Sequence, residues 1–381
     1  MNDIELHGHL LNKAGSRLEL NTPVLIVDLD KLDRNIAVMA GFATANGMKL
    51  RPHAKTHKSP DIAKRQIMAG AVGQCCAKIG EAEALCDGDV TSGLLITSPV
   101  TSSPAISRLV SLNLRCESLM CAVDNPGNVS AIAAAAQATG KPLDVIIDVD
   151  PGFHRTGVTS PATALDVLAT IRGHAGVRYR GVQFYCGNLQ HIASYAERRA
   201  AVRERTEFLS TVIGALIKAG GPPDIVTGGG TGSHRIDAEF GVFTELQVGS
   251  YVFMDSQYLA CELSDFGTSP LFETALMIDS RVISVNFAGM ATVDAGIKAF
   301  STDADPPAVL AGAPDSARYS FMGDEHGALV ALGNTFLPLN TRITLAAPHC
   351  DPTVNLYDTY HVVQGDRLCA LWPVAGRGRS R

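Results

Sequence analysis

No stretch of the 381-residue chain stays apolar for the roughly 20 residues that a membrane-crossing helix needs. The opening segment, MNDIELHGHLLNKAGSRLEL, begins with acids where a secretory signal would carry basic residues. These absences make a soluble, unexported, cytoplasmic protein the expectation. Basic charge is also in short supply. The 32 Lys and Arg against 38 Asp and Glu leave a formal net charge of -6, which argues against a nucleic-acid surface or an anionic membrane as partner. Cysteine occurs nine times, at Cys75, Cys76, Cys86, Cys116, Cys121, Cys186, Cys261, Cys350 and Cys369, an odd number with no CxxC zinc spacing. That pattern suits reduced thiols that pack as small apolar residues. Internal repeats are lacking, and the only biased tract is the basic end GRGRSR, which is expected to fray.

What is present is core material. Hydrophobic residues make up 46% of the chain and charged residues 18%, a globular composition. The length suits one large domain with a smaller one, and small-molecule chemistry is the leading functional class. Apolar runs recur as VLIVD (24–28), MKLRP (48–52), AVGQC (71–75), LLIT (94–97), LMCAV (119–123), DVIIDV (144–149), GVQFY (181–185) and DIVTG (224–228). Between most of them lie segments such as GNVSAIAAAAQATG, with apolar residues at three- and four-residue spacing and glycine near the end. Eight alternations of strand and helix predict an α/β fold with a (β/α)8 barrel, and a doubly wound open sheet is the structural competitor. From about residue 271 the helical patterns give way to short strand-like runs, among them ALMIDSRVISV, TRITLAA, YHVVQG and RLCALWPV. The expected division is therefore a barrel over 22–270 and an all-β domain over 271–381, which residues 1–21 are expected to join.

The loop RPHAKTHKS, 51–59, packs Arg51, Lys55 and Lys58 with His53 and His57 at the end of a predicted barrel strand, where barrel chemistry resides. Lysine forms a Schiff base with a carbonyl cofactor, and neighbouring cations favour its neutral form. A phosphate-binding or merely solvated basic loop is the alternative. TGGGTGS, 227–233, follows the last of the eight predicted strands, where barrels commonly hold phosphate through backbone N–H groups. Pyridoxal 5′-phosphate needs both features, a lysine for its aldehyde and an N–H cradle for its phosphate.

Taken with DPGFHRTGV, ELQVGSYVFMD, VDAGIK, DEHG and HCDPTVNLYD, these motifs make the chain, from about residue 22 to its end, resemble the D-threonine and D-3-hydroxyaspartate aldolases. That family is related to metal-dependent D-serine dehydratase and, more remotely, to alanine racemase. The resemblance implies a fold-type III pyridoxal phosphate enzyme with a barrel, a C-terminal β domain and an active site completed across a homodimer. It makes Lys55 the Schiff-base lysine in preference to Lys58, places Arg155 beside the cofactor's phenolic oxygen, and sets Tyr185 at its pyridine nitrogen. Gly230 and Thr231 would hold the phosphate, with Gly249, Ser250 and Tyr251 as a second wall. His191 would act on the substrate's β-hydroxyl. His349 and Asp351 would bind a divalent ion, Mn²⁺ or Mg²⁺ before Zn²⁺. Two residues apart on a strand or its end, they would share a face and Cys350 would point away.

The implied reaction is reversible cleavage of a D-β-hydroxy-α-amino acid to glycine and an aldehyde. The dehydratase branch typically has cysteine where Asp351 stands, so the carboxylate favours carbon–carbon cleavage. A D-hydroxyamino-acid dehydratase is the runner-up, and a noncatalytic cofactor carrier or a plain metal hydrolase are readings from other classes. Two departures concern the substrate's outer contacts. Ala77 stands in CCAK where the family commonly has CCQK, and Ser98–Pro99–Val100 stand where NEV is common. His234, after the glycine run, is expected to meet a second carboxylate or solvent.

Overall fold

The computed structural model describes residues 2–265 and 271–381. The first predicted strand, β1 (Val24–Asp28), forms as expected but not in the barrel. The barrel sheet comprises β2 (Lys49–Leu50), β3 (Gln74–Cys76), β4 (Leu94–Ile96), β5 (Leu119–Val123), β6 (Leu143–Asp148), β7 (Val177–Phe184), β8 (Ile225–Gly228) and β9 (Glu245–Leu246). All its pairings are parallel, in the order β2-β9-β8-β7-β6-β5-β4-β3. The two ends of that order meet through a parallel bridge between His53 and Cys75, with Cys75 N–H donating to Pro52 O at 2.8 Å. The basic loop thus follows the first barrel strand, and TGGGTGS follows the seventh.

Strand alternation separates two apolar layers. On β5, Leu119, Cys121 and Val123 pack with the helix residues Leu109 and Ile132, whereas Met120 and Ala122 face the interior with Cys75, Leu95 and Ile146. The helices begin on capped turns. The side chains of Ser102, Asn125, Ser160 and Ser194 accept first-turn N–H groups, three of them with proline at the start of the helix.

The second sheet is built from β1 and from β10 (Leu276–Ser284), β11 (Ala291–Val293), β12 (Val309–Ala311), β13 (Arg318–Phe321), β14 (Gly327–Val330), β15 (Arg342–Ala346), β16 (Thr359–Gln364) and β17 (Arg367–Pro373). Within it β1 pairs antiparallel with β10 and parallel with β16. One compact unit takes in the described residues up to Val38, Ser250–Ala260, and those from 271 to Arg377. The other takes in Met39–Gly249, residues 261–265, and Gly378–Arg381. The boundary expected at 270 falls outside the described residues.

The basic end does not fray against solvent. Gly80 N–H donates to Arg381 O at 3.1 Å, and Arg379 pairs with Asp87 at 3.4 Å. A Cβ at Gly80 would sit 2.3 Å from Arg379 O, so glycine is what admits the tail. Among the described residues, no helix is long and apolar enough to cross a membrane.

Candidate active site

Parallel strands put their following loops on one face of the barrel, and the loops after β2, β4, β6, β7, β8 and β9 carry its polar chemistry. The crowded basic loop after β2 sorts itself out by pairing. Arg51 makes a buried, two-pronged ion pair with Glu245 on β9, at 2.7 and 3.0 Å. Lys58 Nζ lies 2.5 Å from Glu81 Oε1, both nearly sealed from solvent, and Glu81 Oε2 also accepts Ala77 N–H at 2.7 Å. His53 donates from Nε2 to the Thr97 hydroxyl at 3.1 Å, while its Nδ1 accepts Lys55 N–H at 3.4 Å. Lys55 sits in the 3-10 turn Ala54–Thr56 and is half-buried. Two of the three cations in the crowded loop are thus matched by buried carboxylates of their own. Lys58→Met should strand the buried Glu81 charge and destabilise the fold by about 3–5 kcal/mol. A denaturant titration reads the loss, and a borohydride-reducible cofactor linkage should survive in the same variant.

Beneath the mouth lies a polar network that the sequence did not disclose. Asp148, at the end of β6, accepts the Thr156 hydroxyl at 2.7 Å and Gln183 Nε2 at 2.9 Å. Gln183 also donates to Thr97 O at 2.9 Å and accepts from Gln247 at 3.3 Å. Burial pushes the Asp148 carboxyl up to about 6, against those hydrogen bonds. Above it the Arg155 guanidinium stands 5.9 Å from the Tyr185 ring, so two residues expected to flank one cofactor share one place.

The glycine loop after β8 is braced from within. Gln190 Oε1 accepts Gly232 N–H at 3.0 Å and Ser233 N–H at 3.2 Å, and Ser233 Oγ accepts Gly230 N–H at 3.2 Å. Gly230, expected to offer its N–H outward, thus already has a hydroxyl partner, and Thr231 beside it is buried. Side chains are excluded here, because a Cβ at Gly232 would lie 2.1 Å from Gln190 O. His234 meets neither a carboxylate nor solvent. It is buried, stacks edge-on against Phe42 at 4.8 Å, and its Nδ1 donates to Thr231 O at 2.7 Å. Burial holds its imidazole down at about 4, so it is neutral and structural.

Gly249 closes the ring of loops. His53 N–H donates to Val248 O at 2.9 Å, and a Cβ on Gly249 would come within 2.7 Å of Thr56 Oγ1. Ser250 and Tyr251 follow in the turn Ser250–Val252, with Tyr251 buried against Phe272. His191 lies exposed on the loop after β7. That loop is pinned by the fully buried Arg198, which donates to Ile192 O, to Gly232 O at 2.8 Å and to Glu262 O. Arg198 lies within a 24-residue helix, Tyr195–Lys218, and no local signal marked it. Ala77 and Ser98–Pro99 line one cavity of about 170 Å³ with Lys78 and Arg381, so both departures from the family pattern fall at one spot.

His349 and Asp351 belong to the other unit and are not on a strand. His349 is the extended residue that precedes the short helix Cys350–Val354, and Asp351 lies in that helix's first turn. Proline at 352 suits the start of a helix and not a strand interior, which explains the difference. Cys350 is wholly buried, with its thiol pushed well above its ordinary range by that burial. His349 Nδ1 lies 2.7 Å from Asp303 Oδ2, and the buried Asp255 accepts Cys350 N–H at 3.0 Å and Tyr258 N–H at 3.1 Å. Imidazole nitrogen with carboxylate oxygen is a donor set that fits a divalent ion on the hard side of zinc.

Asp3, His7 and His361 also bring ligand-type atoms within 4.8 Å of one another, but their polarity is wrong for a metal. His7 Nε2 accepts the Asn21 backbone N–H at 3.1 Å, so Nδ1 carries the proton and donates to His361 Nε2 at 2.8 Å. A ligating imidazole needs one bare nitrogen and one outward-donating N–H.

Residues 27–257 match the model of the alanine racemase N-terminal domain, and residues 275–363 match a serine dehydratase domain model. The chain is 36% identical to the 3-hydroxy-D-aspartate aldolase of Paracoccus denitrificans (strain Pd 1222), across 95% of this chain and 93% of that one. It is equally 36% identical to the D-threonine aldolase of an Arthrobacter species, across 95% and 94%. The solved structure of the D-threonine aldolase from Filomicrobium marinum superposes with a TM-score of 0.91 at 36% identity, covering 96% of this chain and 98% of that one.

Proposed function

The chain belongs to the family of the 3-hydroxy-D-aspartate and D-threonine aldolases, and on that basis we propose that it cleaves a D-β-hydroxy-α-amino acid between Cα and Cβ. Glycine and an aldehyde are the products, and the reverse condensation is open to the same site. The observation that carries cleavage over loss of water is the donor set around His349. Asp351 stands there as a carboxylate, and the adjacent thiol of Cys350 is buried and held protonated.

Pyridoxal 5′-phosphate supplies, when bound, a carbonyl that condenses with an amine and a sink for the electron pair released at Cα. A divalent ion, Mn²⁺ or Mg²⁺ before Zn²⁺, supplies a Lewis acid for the β-hydroxyl oxygen. On the barrel, Lys55 provides the amine that anchors the cofactor. Arg155 would set its guanidinium beside the phenolic oxygen, and Tyr185 would present its hydroxyl to the ring nitrogen. Gly230 and Thr231 would hold the phosphate from a loop whose glycines leave no room for side chains, and Gly249, Ser250 and Tyr251 are further candidates that the family resemblance supplies. His191 removes the β-hydroxyl proton. As the carbonyl forms, the bonding pair of Cα–Cβ stays with Cα, which then takes a proton to give glycine. His349 and Asp351 hold the ion. Nine free thiols suit the reducing cytoplasm, and a homodimer, to be checked by sedimentation, is the assembly that fits this family.

Chelation separates the two groups, since Lys55, Arg155 and Tyr185 belong to one unit and His349 and Asp351 to the other. Dialysis against EDTA should lower turnover to background while the yellow absorbance of the protein persists, and Mn²⁺ should restore it. Full activity in protein shown by elemental analysis to hold no divalent ion would overturn the metal role.

A further inference from the structure

His349 can offer a metal either of two ring nitrogens, and the structure favours one of them. Its Nδ1 faces Asp303 Oδ2 at 2.7 Å. A carboxylate only accepts, so Nδ1 carries the proton and Nε2 is left as the bare nitrogen. Both sides of this contact are built. Ser301 Oγ donates to His349 O at 3.2 Å, and Ser301 N–H donates to the Thr353 hydroxyl at 3.0 Å. Thr353 Oγ1 in turn lies 3.1 Å from Ser301 Oγ, so the loop bearing Asp303 is bolted to the turn bearing His349 at its start and two residues beyond Asp351. Asp255 fixes the same turn from the opposite side through Cys350 N–H.

We propose that Asp303 is a positioning residue for the metal centre. It locks the His349 ring in the Nδ1–H form and aims Nε2 at the ion, a role that rests on reading His349 and Asp351 as its ligands. Asp303 lies two residues from Ser301 in a polar stretch, STDADPP, where a carboxylate would pass for an ordinary solvated charge. Its side chain is 54% exposed, so the contact acts by orienting the ring and raising its basicity and adds little fold stability. The loop borders a cavity of about 560 Å³ that Asp303 and Asp305 line with Ser256, Gln257 and Pro348, which leaves open space beside the His349 turn.

The test uses the pyridoxal phosphate-loaded protein, with Mn²⁺ affinity read from the electron paramagnetic resonance of the free ion. Asp303→Asn should weaken Mn²⁺ binding by about 10–100-fold, with unchanged cofactor absorbance and melting temperature, and Asp303→Glu should recover part of the loss. With Cu²⁺ in place of Mn²⁺, electron spin-echo modulation from the remote imidazole nitrogen should shift in Asp303→Asn, because that nitrogen loses its carboxylate partner. Wild-type affinity together with an unshifted remote nitrogen in Asp303→Asn overturns the proposal. If His349→Ala binds Mn²⁺ as the wild type does, the ligand reading itself fails. That outcome differs from one in which His349→Ala loses the ion and Asp303→Asn keeps it.

Discussion

Lys55→Ala protein, reconstituted with pyridoxal 5′-phosphate and treated with borohydride, is expected to carry no covalently fixed cofactor, and its turnover should fall on the order of 10⁴-fold or more. The choice of Lys55 rests on its match to the family motif HAK, and the buried pairs of the same loop argue against its neighbours. Arg51 is held by Glu245 and Lys58 by Glu81, each in a buried pair whose disruption leaves an unmatched charge. Lys55 instead occupies a short turn that Gly249 approaches closely, and His53 accepts its backbone N–H. The peptide map of the reduced wild type should place the modified lysine at 55. A linkage that persists in Lys55→Ala and vanishes in Lys58→Met would reverse the assignment, and it would require the Lys58–Glu81 pair to open when cofactor binds.

The sequence disclosed most of the strands and the family motifs, but it could not say which sheet each strand joins. VLIVD reads as a buried strand wherever it lies, since every residue but the last is shielded in a sheet of either kind. Its partners, β10 and β16, lie some 250 and 330 residues further on, beyond the reach of any local pattern. The strand that takes its place in the barrel, Glu245–Leu246, is two residues long and half of it is a carboxylate. It is buried only because Arg51 matches the charge across β2 and β9. The same limit applies at the site. Arg198 and Gln190 look like surface polar residues in their own segments, and they acquire meaning from the carbonyls and N–H groups that the fold brings to them. The motif HCDPT shows an imidazole and a carboxylate as candidate donors. Its proline, the sign of a helix start, went unread.

The identity of the reaction turns on the β-oxygen of the substrate. A dehydratase must make that oxygen a leaving group, which suits a strongly Lewis-acidic centre such as zinc with a soft thiolate. An aldolase must keep the oxygen and convert it to a carbonyl, so the metal's task is to orient it while its proton passes to a base. Here the carboxylate of Asp351 is offered beside His349, and Cys350, the nearest thiol, is sealed in the core and held protonated. D-threonine should therefore yield glycine and acetaldehyde in equal amounts, with ammonia and 2-oxobutyrate as traces. L-threonine should react at least about 100-fold more slowly, because the bond that breaks must stand perpendicular to the conjugated cofactor, and inversion at Cα moves Cβ out of that position. Incubation with each isomer and quantification of all four products decides the matter. Ammonia and 2-oxobutyrate as main products would overturn cleavage in favour of water loss. Equal turnover of the two isomers would overturn the assigned stereochemical preference, since a site that fixes one amine, one carboxylate and one hydroxyl cannot accept both hands alike.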